Sequence, residues 1–129
     1  PDPIGPATVL FSLRFCQDIA EALATGGIMV RQSGAPFVQK EEFSQSCRLL
    51  SDVYTHVAPY LFSVPTYVGG SFSSVLVSQE VDPHQLSELE IKKRCGDLEL
   101  SLRYYNPGVH VAAFKLPEYV KETLTWQKK

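Results

Sequence analysis

Apolar positions switch between helical and strand spacing along this chain, and the changes of period mark out its elements. Leu13, Cys16, Ala20 and Leu23 recur at three- and four-residue intervals, which predicts a helix from an N-cap at Ser12 to about Ala24. Gly26-Gly27 supplies a left-handed stop. Ile28-Met29-Val30 is apolar at every position, the pattern of a strand buried on both faces as in a parallel sheet. That strand delivers Arg31-Gln32-Ser33-Gly34 at its C-terminal end. A second helix is predicted from Lys40 to His56, with Phe43, Cys47, Leu50 and Tyr54 as its inward stripe.

Two strand-like runs follow, Tyr60 to Val64 and Phe72 to Ser78. They lie too close for a parallel crossover, which needs about a dozen residues, so a hairpin must join them. Its loop, with Tyr67 ahead of Gly69-Gly70, is longer than a tight turn, and loops of that kind often carry function. Asp82-Pro83 predicts the cap and first residue of a helix to about Lys93, with Gln85 completing a capping box. Leu98 to Tyr105 is predicted extended, Asn106-Pro107 a turn, and Leu116-Pro117 the entry to a last helix ending near Trp126. The opening Pro1 to Pro6, with three prolines in six residues, predicts a rigid turn rather than a helix or central strand. Helix, strand, helix and closing hairpin in that order predict an α/β fold. It is the C-terminal half of a methyltransferase-like (Rossmann-type) sheet ending in an antiparallel hairpin. A first strand with a glycine-rich nucleotide loop, and an acidic ribose ligand beyond it, would complete such a sheet, and this sequence has neither.

Composition narrows the partners. Hydrophobic residues make up 44% and charged residues 20% of the chain, a globular balance that argues against disorder. The formal net charge of −2 comes with Lys and Arg scattered rather than striped, which excludes an electrostatic nucleic-acid surface. A cationic ligand stays compatible, since it needs only a few local carboxylates. Cys16, Cys47 and Cys95 form no C-x-x-C pair and no disulfide framework, which fits a reducing cytoplasm and reads as small buried hydrophobes. No apolar run approaches the ~20 residues that a bilayer requires, so no membrane role is expected. His56, His84 and His110 share no metal spacing and no serine sits in G-x-S-x-G, so neither a metal centre nor an acyl-enzyme is supported.

Three stretches in order carry a resemblance. They are Asp2-Pro3-Ile4-Gly5-Pro6 running on to Val9-Leu10-Phe11, then Val64-Pro65-Thr66-Tyr67 with its glycines, and Tyr104-Tyr105-Asn106-Pro107 leading to His110-Val111-Ala112-Ala113-Phe114-Lys115-Leu116-Pro117. Together they resemble the spermidine synthase (polyamine aminopropyltransferase) family, especially its bacterial members, across essentially the whole chain. The resemblance implies an enzyme of polyamine biosynthesis in the cytoplasm. Its reaction moves an aminopropyl group from decarboxylated S-adenosylmethionine, a co-substrate rather than a cofactor, to putrescine, giving spermidine and methylthioadenosine. No cofactor or metal is implied, and the intact enzyme is expected to be a homo-oligomer.

The resemblance also implies the site. Asp2 matches the second aspartate of the family's D-x-x-D loop, which helps hold the amine. The first aspartate, the family's catalytic base, would lie upstream of Pro1, so no catalytic residue is assigned within residues 1–129. Pro1 departs from the Ser or Thr usual at its position. Pro6 matches a proline bordering the nucleoside, Gln32 a strand-end glutamine that contacts the diamine, and Tyr67 a tyrosine whose hydroxyl contacts the amine. Phe72 falls in the apolar diamine wall, where other members often carry an aliphatic residue. The chain is therefore expected to be the C-terminal portion of the catalytic domain, inactive alone, with the N-terminal half absent. The alternative is a non-catalytic polyamine-binding or regulatory partner chain. Read without the resemblance, Asp2 is an exposed acid, Gln32 a polar strand end and Tyr67 a packing aromatic. Tyr104, Tyr105, Asn106 and His110 are given a structural role, two tyrosines beside a turn being usual core with hydrogen-bonded tips.

Overall fold

The computed structural model of the chain describes residues 5–67, 69–99 and 101–124. After an opening 3-10 helix, Gly5–Phe11, the order is α1 (Leu13–Ala22), β1 (Ile28–Gln32), α2 (Lys40–Ser51), β2 (His56–Phe62) and β3 (Phe72–Ser78). A short 3-10 helix at Pro83–Gln85 then precedes α3 (Glu88–Asp97), α4 (Pro107–Ala113) and α5 (Glu118–Thr123). The three strands form one sheet in the order β1-β3-β2, with β3 antiparallel to both neighbours. β1 and β2 therefore run the same way without touching, and the closing hairpin is β2–β3, as expected.

Strand alternation divides the sheet into two faces. Met29 and Arg31 of β1, Val57 and Leu61 of β2, and Val75 and Val77 of β3 share one face by register. There they meet Cys16 of α1, Phe43, Cys47 and Leu50 of α2, and Val120 of α5 in a single apolar cluster. The predicted stripes of α1 and α2 point into it except for Leu13, which is exposed, and Tyr54, just beyond α2, closes it with its hydroxyl donating to the Cys16 carbonyl at 3.2 Å. Ser12 caps α1 as expected, accepting from the Phe15 amide at 3.2 Å. The helix ends at Ala22, however, where Leu23 turns extended, and Gly26 at φ 71° serves the following turn to β1 rather than the helix stop.

On the opposite face α4 covers β2, with Phe114 5.3 Å from Tyr60 between ring centroids. Nothing described covers β1 there. Ile28 and Val30 are each 50% exposed, so the expected burial of this strand on both faces is corrected: among the described residues β1 is an edge strand with one covered face. Pro59 is accommodated because β2 is also an edge, where a missing donor costs no ladder bond.

Several other expectations shift. α2 stops at Ser51, not His56, because the chain turns at Asp52–Val53 and His56 is already paired with Ser78. The hairpin strand accordingly runs His56–Phe62. The helix expected from Pro83 to Lys93 is broken at Leu86, which is extended. Asp82 caps only the first turn through the His84 amide, and Ser87 starts α3 by accepting from Glu90. Leu98 to Tyr105 forms no strand among its described residues. Leu98 and Leu102 are exposed and Glu99 turns the chain at φ 48°. Asn106-Pro107 is more than a turn: Asn106 accepts from the Val109 amide and Pro107 is the first residue of α4. Gly5 and Pro6 open a 3-10 helix where a non-helical turn was expected, since proline suits a first helical turn. Trp126, the expected helix end, lies outside the described residues.

Candidate functional site

The C-terminal end of β1 is where the sheet opens. Gln32, its last residue, pairs with Ser74, and the chain continues through Ser33 and Gly34 held against β3. The Ser33 amide donates to the Ser73 carbonyl at 3.1 Å, and the Ser73 amide and hydroxyl both donate to the Gly34 carbonyl at 2.8 Å. The two serine hydroxyls lie 3.0 Å apart. Gly34 sits at φ 77°, where a side chain is strained, and an added Cβ would come 2.6 Å from Gln39 Oε1. That Oε1 accepts from the Ala35 amide at 3.0 Å and pins the following turn. The strand end is therefore rigid on both sides.

A cleft of about 310 Å³ lies beside this strand end. Gln32, Ser33 and Gly34 form one wall, Phe11 another, and Glu42 and Gln45 of α2 a third, with Arg31 at its base. Arg31 points to the helix-covered face, away from Gln32. Its guanidinium donates to the Ser46 hydroxyl at 2.6 Å, the Ser46 carbonyl at 3.2 Å and Cys16 Sγ at 3.4 Å, and lies 5.2 Å from the centroid of the Phe11 ring. Burial lowers its pKa, opposed chiefly by Cys16, yet a guanidinium stays charged at any ordinary pH. Burial also pushes the neighbouring Cys47 thiol up to about 12, so that sulfur is neutral and behaves as core.

The expected site residues fall into two groups. Gln32 is half-buried and lines the cleft. Tyr67 and Phe72 lie together on the hairpin, their rings 4.9 Å apart, with Phe72 also edge-on to Phe62 at 5.8 Å. Tyr67 is 53% exposed, whereas Phe72 is buried. Neither is among the residues lining the cleft, but register puts Phe72 at the same end of the sheet as Gln32. Gln32 opposes Ser74, and Phe72, two residues before Ser74, projects on the same face at the same end of the sheet. Pro6 is exposed in the opening 3-10 helix, which ends at the cleft residue Phe11. Asp2 lies outside the described residues.

The spermine/spermidine synthase domain profile matches residues 1–88 of this chain. The chain belongs to that family. Polyamine aminopropyltransferases of Yersinia pestis and Yersinia pseudotuberculosis are each 38% identical to it over 124 residues, covering 96% of this chain and 42% of theirs. The chain thus spans well under half the length of these curated relatives. The fold is similar to that of a spermidine synthase crystallised with the transition-state analogue AdoDATO (TM-score 0.86, 31% identity over 98% of this chain and 42% of that one). A spermidine synthase from Thermotoga maritima is similarly close (TM-score 0.83, 31% identity, 95% and 41% coverage). The three-stranded antiparallel sheet is accordingly part of a methyltransferase-like fold, as the order of elements predicted.

Arg31, Phe11 and Ser73 were not singled out from the sequence. A signal for Arg31 was present, since alternation in Met29-Val30-Arg31-Gln32 places a charged residue opposite Gln32 and toward the core. Nothing local marks Phe11 or Ser73, whose roles come from long-range contacts. Tyr105 and His110 bear out their structural reading: the Tyr105 hydroxyl and His110 Nδ1 are 2.9 Å apart, and burial lowers the His110 pKa.

Proposed function

We propose that the protein of which this chain forms part is a polyamine aminopropyltransferase, taking its aminopropyl group from decarboxylated S-adenosylmethionine and its acceptor from small diamines such as putrescine. The observation that carries the reading is Gln32. It is a neutral hydrogen-bonding side chain at the carboxyl end of a strand, the position where α/β sheets place ligands, and it shares that end and face with Phe72, on whose ring Tyr67 packs.

The chemistry is a displacement at carbon. The acceptor nitrogen lone pair attacks the carbon next to the sulfonium, the carbon–sulfur bond breaks, and the thioether leaves with the electron pair as methylthioadenosine. The nitrogen then sheds a proton to a base, which the family pattern puts upstream of Pro1. The leaving group is already good, so the protein's task is to hold a neutral amine in line and to bind its distant ammonium. No electron transfer or Lewis acid is needed. Gln32 and the Tyr67 hydroxyl offer the amine hydrogen bonds, Phe72 packs against the methylene chain, Asp2 supplies the carboxylate for the cationic end, and Pro6 borders the nucleoside. Residues 1–129 alone are expected to be inactive.

The test uses the full-length protein with decarboxylated S-adenosylmethionine and putrescine. Spermidine and methylthioadenosine should form in equal amounts. Asp2→Asn should slow transfer by about tenfold or more, and Gln32→Leu should raise the putrescine KM by about tenfold, the loss of one hydrogen bond to a charged group. A wild-type protein that binds putrescine without forming methylthioadenosine would support the non-catalytic alternative instead.

A further inference from the structure

Arg31 is a charged side chain on the core face of a short strand, and every partner described for it is neutral. Its hydrogen bonds reach Ser46 in α2 and Cys16 in α1, and its cation–aromatic contact reaches the face of Phe11 at the end of the opening 3-10 helix. Its Nε is buried without an acceptor among the described residues. Burying a guanidinium this way costs desolvation, so it is an inefficient way to fill a core, and an apolar residue would pack the same space. What the fork offers is geometry. A planar group with fixed donor directions fixes the relative placement of whatever it touches.

We infer that Arg31 is a positioning residue that holds the opening 3-10 helix at a set distance from Gln32. The backbone between Arg31 and Gln32 is shared, so anchoring the arginine to α2 fixes the glutamine on the other face. The cation–aromatic contact to Phe11 then ties in the segment that begins at Gly5 and Pro6 and runs back toward Asp2. Contacts of this kind are worth more when desolvated, and both partners are half-buried. Arg31 touches no substrate in this arrangement and acts through Gln32 and Phe11. The groups that face it are Cys16 from α1, Ser46 and Cys47 from α2, and Tyr54 just beyond α2. The consequence for amine binding rests on the function proposed above. The clamp itself does not.

The experiment separates the two in the full-length protein. Hydrogen exchange read by mass spectrometry should show faster deuterium uptake across residues 5–11 in Arg31→Met and in Phe11→Leu, about twofold or more, with β3 peptides unchanged. In transfer assays each variant should raise the putrescine KM by about fivefold while kcat changes by less than about twofold. The double variant should be no worse than Arg31→Met alone, because one contact is being removed twice. Arg31→Lys, which keeps the charge but loses the fork, should recover less than half of the lost affinity. Unchanged exchange across residues 5–11, multiplying effects in the double variant, or full rescue by lysine would each overturn the clamp. A wild-type protein that forms no spermidine would sink the proposed function and leave the exchange result to decide the clamp.

Discussion

β1 and β3 read alike in sequence, both short and rich in apolar residues, yet the sheet treats them differently. β3 is paired on both sides and buried along nearly its whole length, including Ser73, Ser74 and Ser78. β1 is paired on one side, covered on one face, and leaves Ile28 and Val30 half in solvent. Apolarity in a strand therefore states a demand for cover and not who supplies it. β3 obtains cover from both neighbouring strands and from the helices. Among the described residues the other edge of β1 is unpaired, and an unpaired apolar edge is a template for pairing.

The contrast can be pressed by substitution. Val77→Asp in β3 should unfold the chain or cost about 3–5 kcal/mol in urea denaturation, because an unpaired carboxylate would sit in a fully buried position. Ser73→Ala, which cuts the hydroxyl links joining β3 to Ser33 and Gly34, should cost about 1–3 kcal/mol. It should also weaken ligand binding at Gln32 more than a core substitution of equal cost. Val30→Lys on the bare face of β1 should change stability by no more than about 0.5 kcal/mol. Light scattering should show that it makes residues 1–129 less prone to self-association. A loss at Val30 as large as that at Val77 would mean the bare face is covered and the contrast false.

The parts legible in the sequence were those set by local chemistry. Ser12 as a cap, the stripes of α1 and α2, and the hairpin all depend on residues a few positions apart. The misreadings came where a distant neighbour decides. The burial of β1 depends on what lies across the sheet, and the extended reading of Leu98 to Tyr105 failed where the chain turns at Glu99, a residue whose positive φ no pattern of apolar positions marks. The single helix expected from Pro83 failed for a nearer reason, since Ser87 offers a second cap that competes with the first. At the site, Gln32, Tyr67 and Phe72 were reached through family motifs. The common face and end of Gln32 and Phe72 follow from the β1–β3 register, and Tyr67 joins them only through its ring contact with Phe72.

The order β1-β3-β2 makes the last strand of the sheet its middle one. During synthesis β2 leaves the ribosome with no ladder to join, since its partner is residues 72–78 of the same hairpin. The sheet described here therefore closes in one late event, when β3 slots between two strands already made. Long-range pairing of that kind is slow relative to helix formation. Until then α1 and α2 lack Val75 and Val77, the β3 side chains that complete their shared apolar cluster.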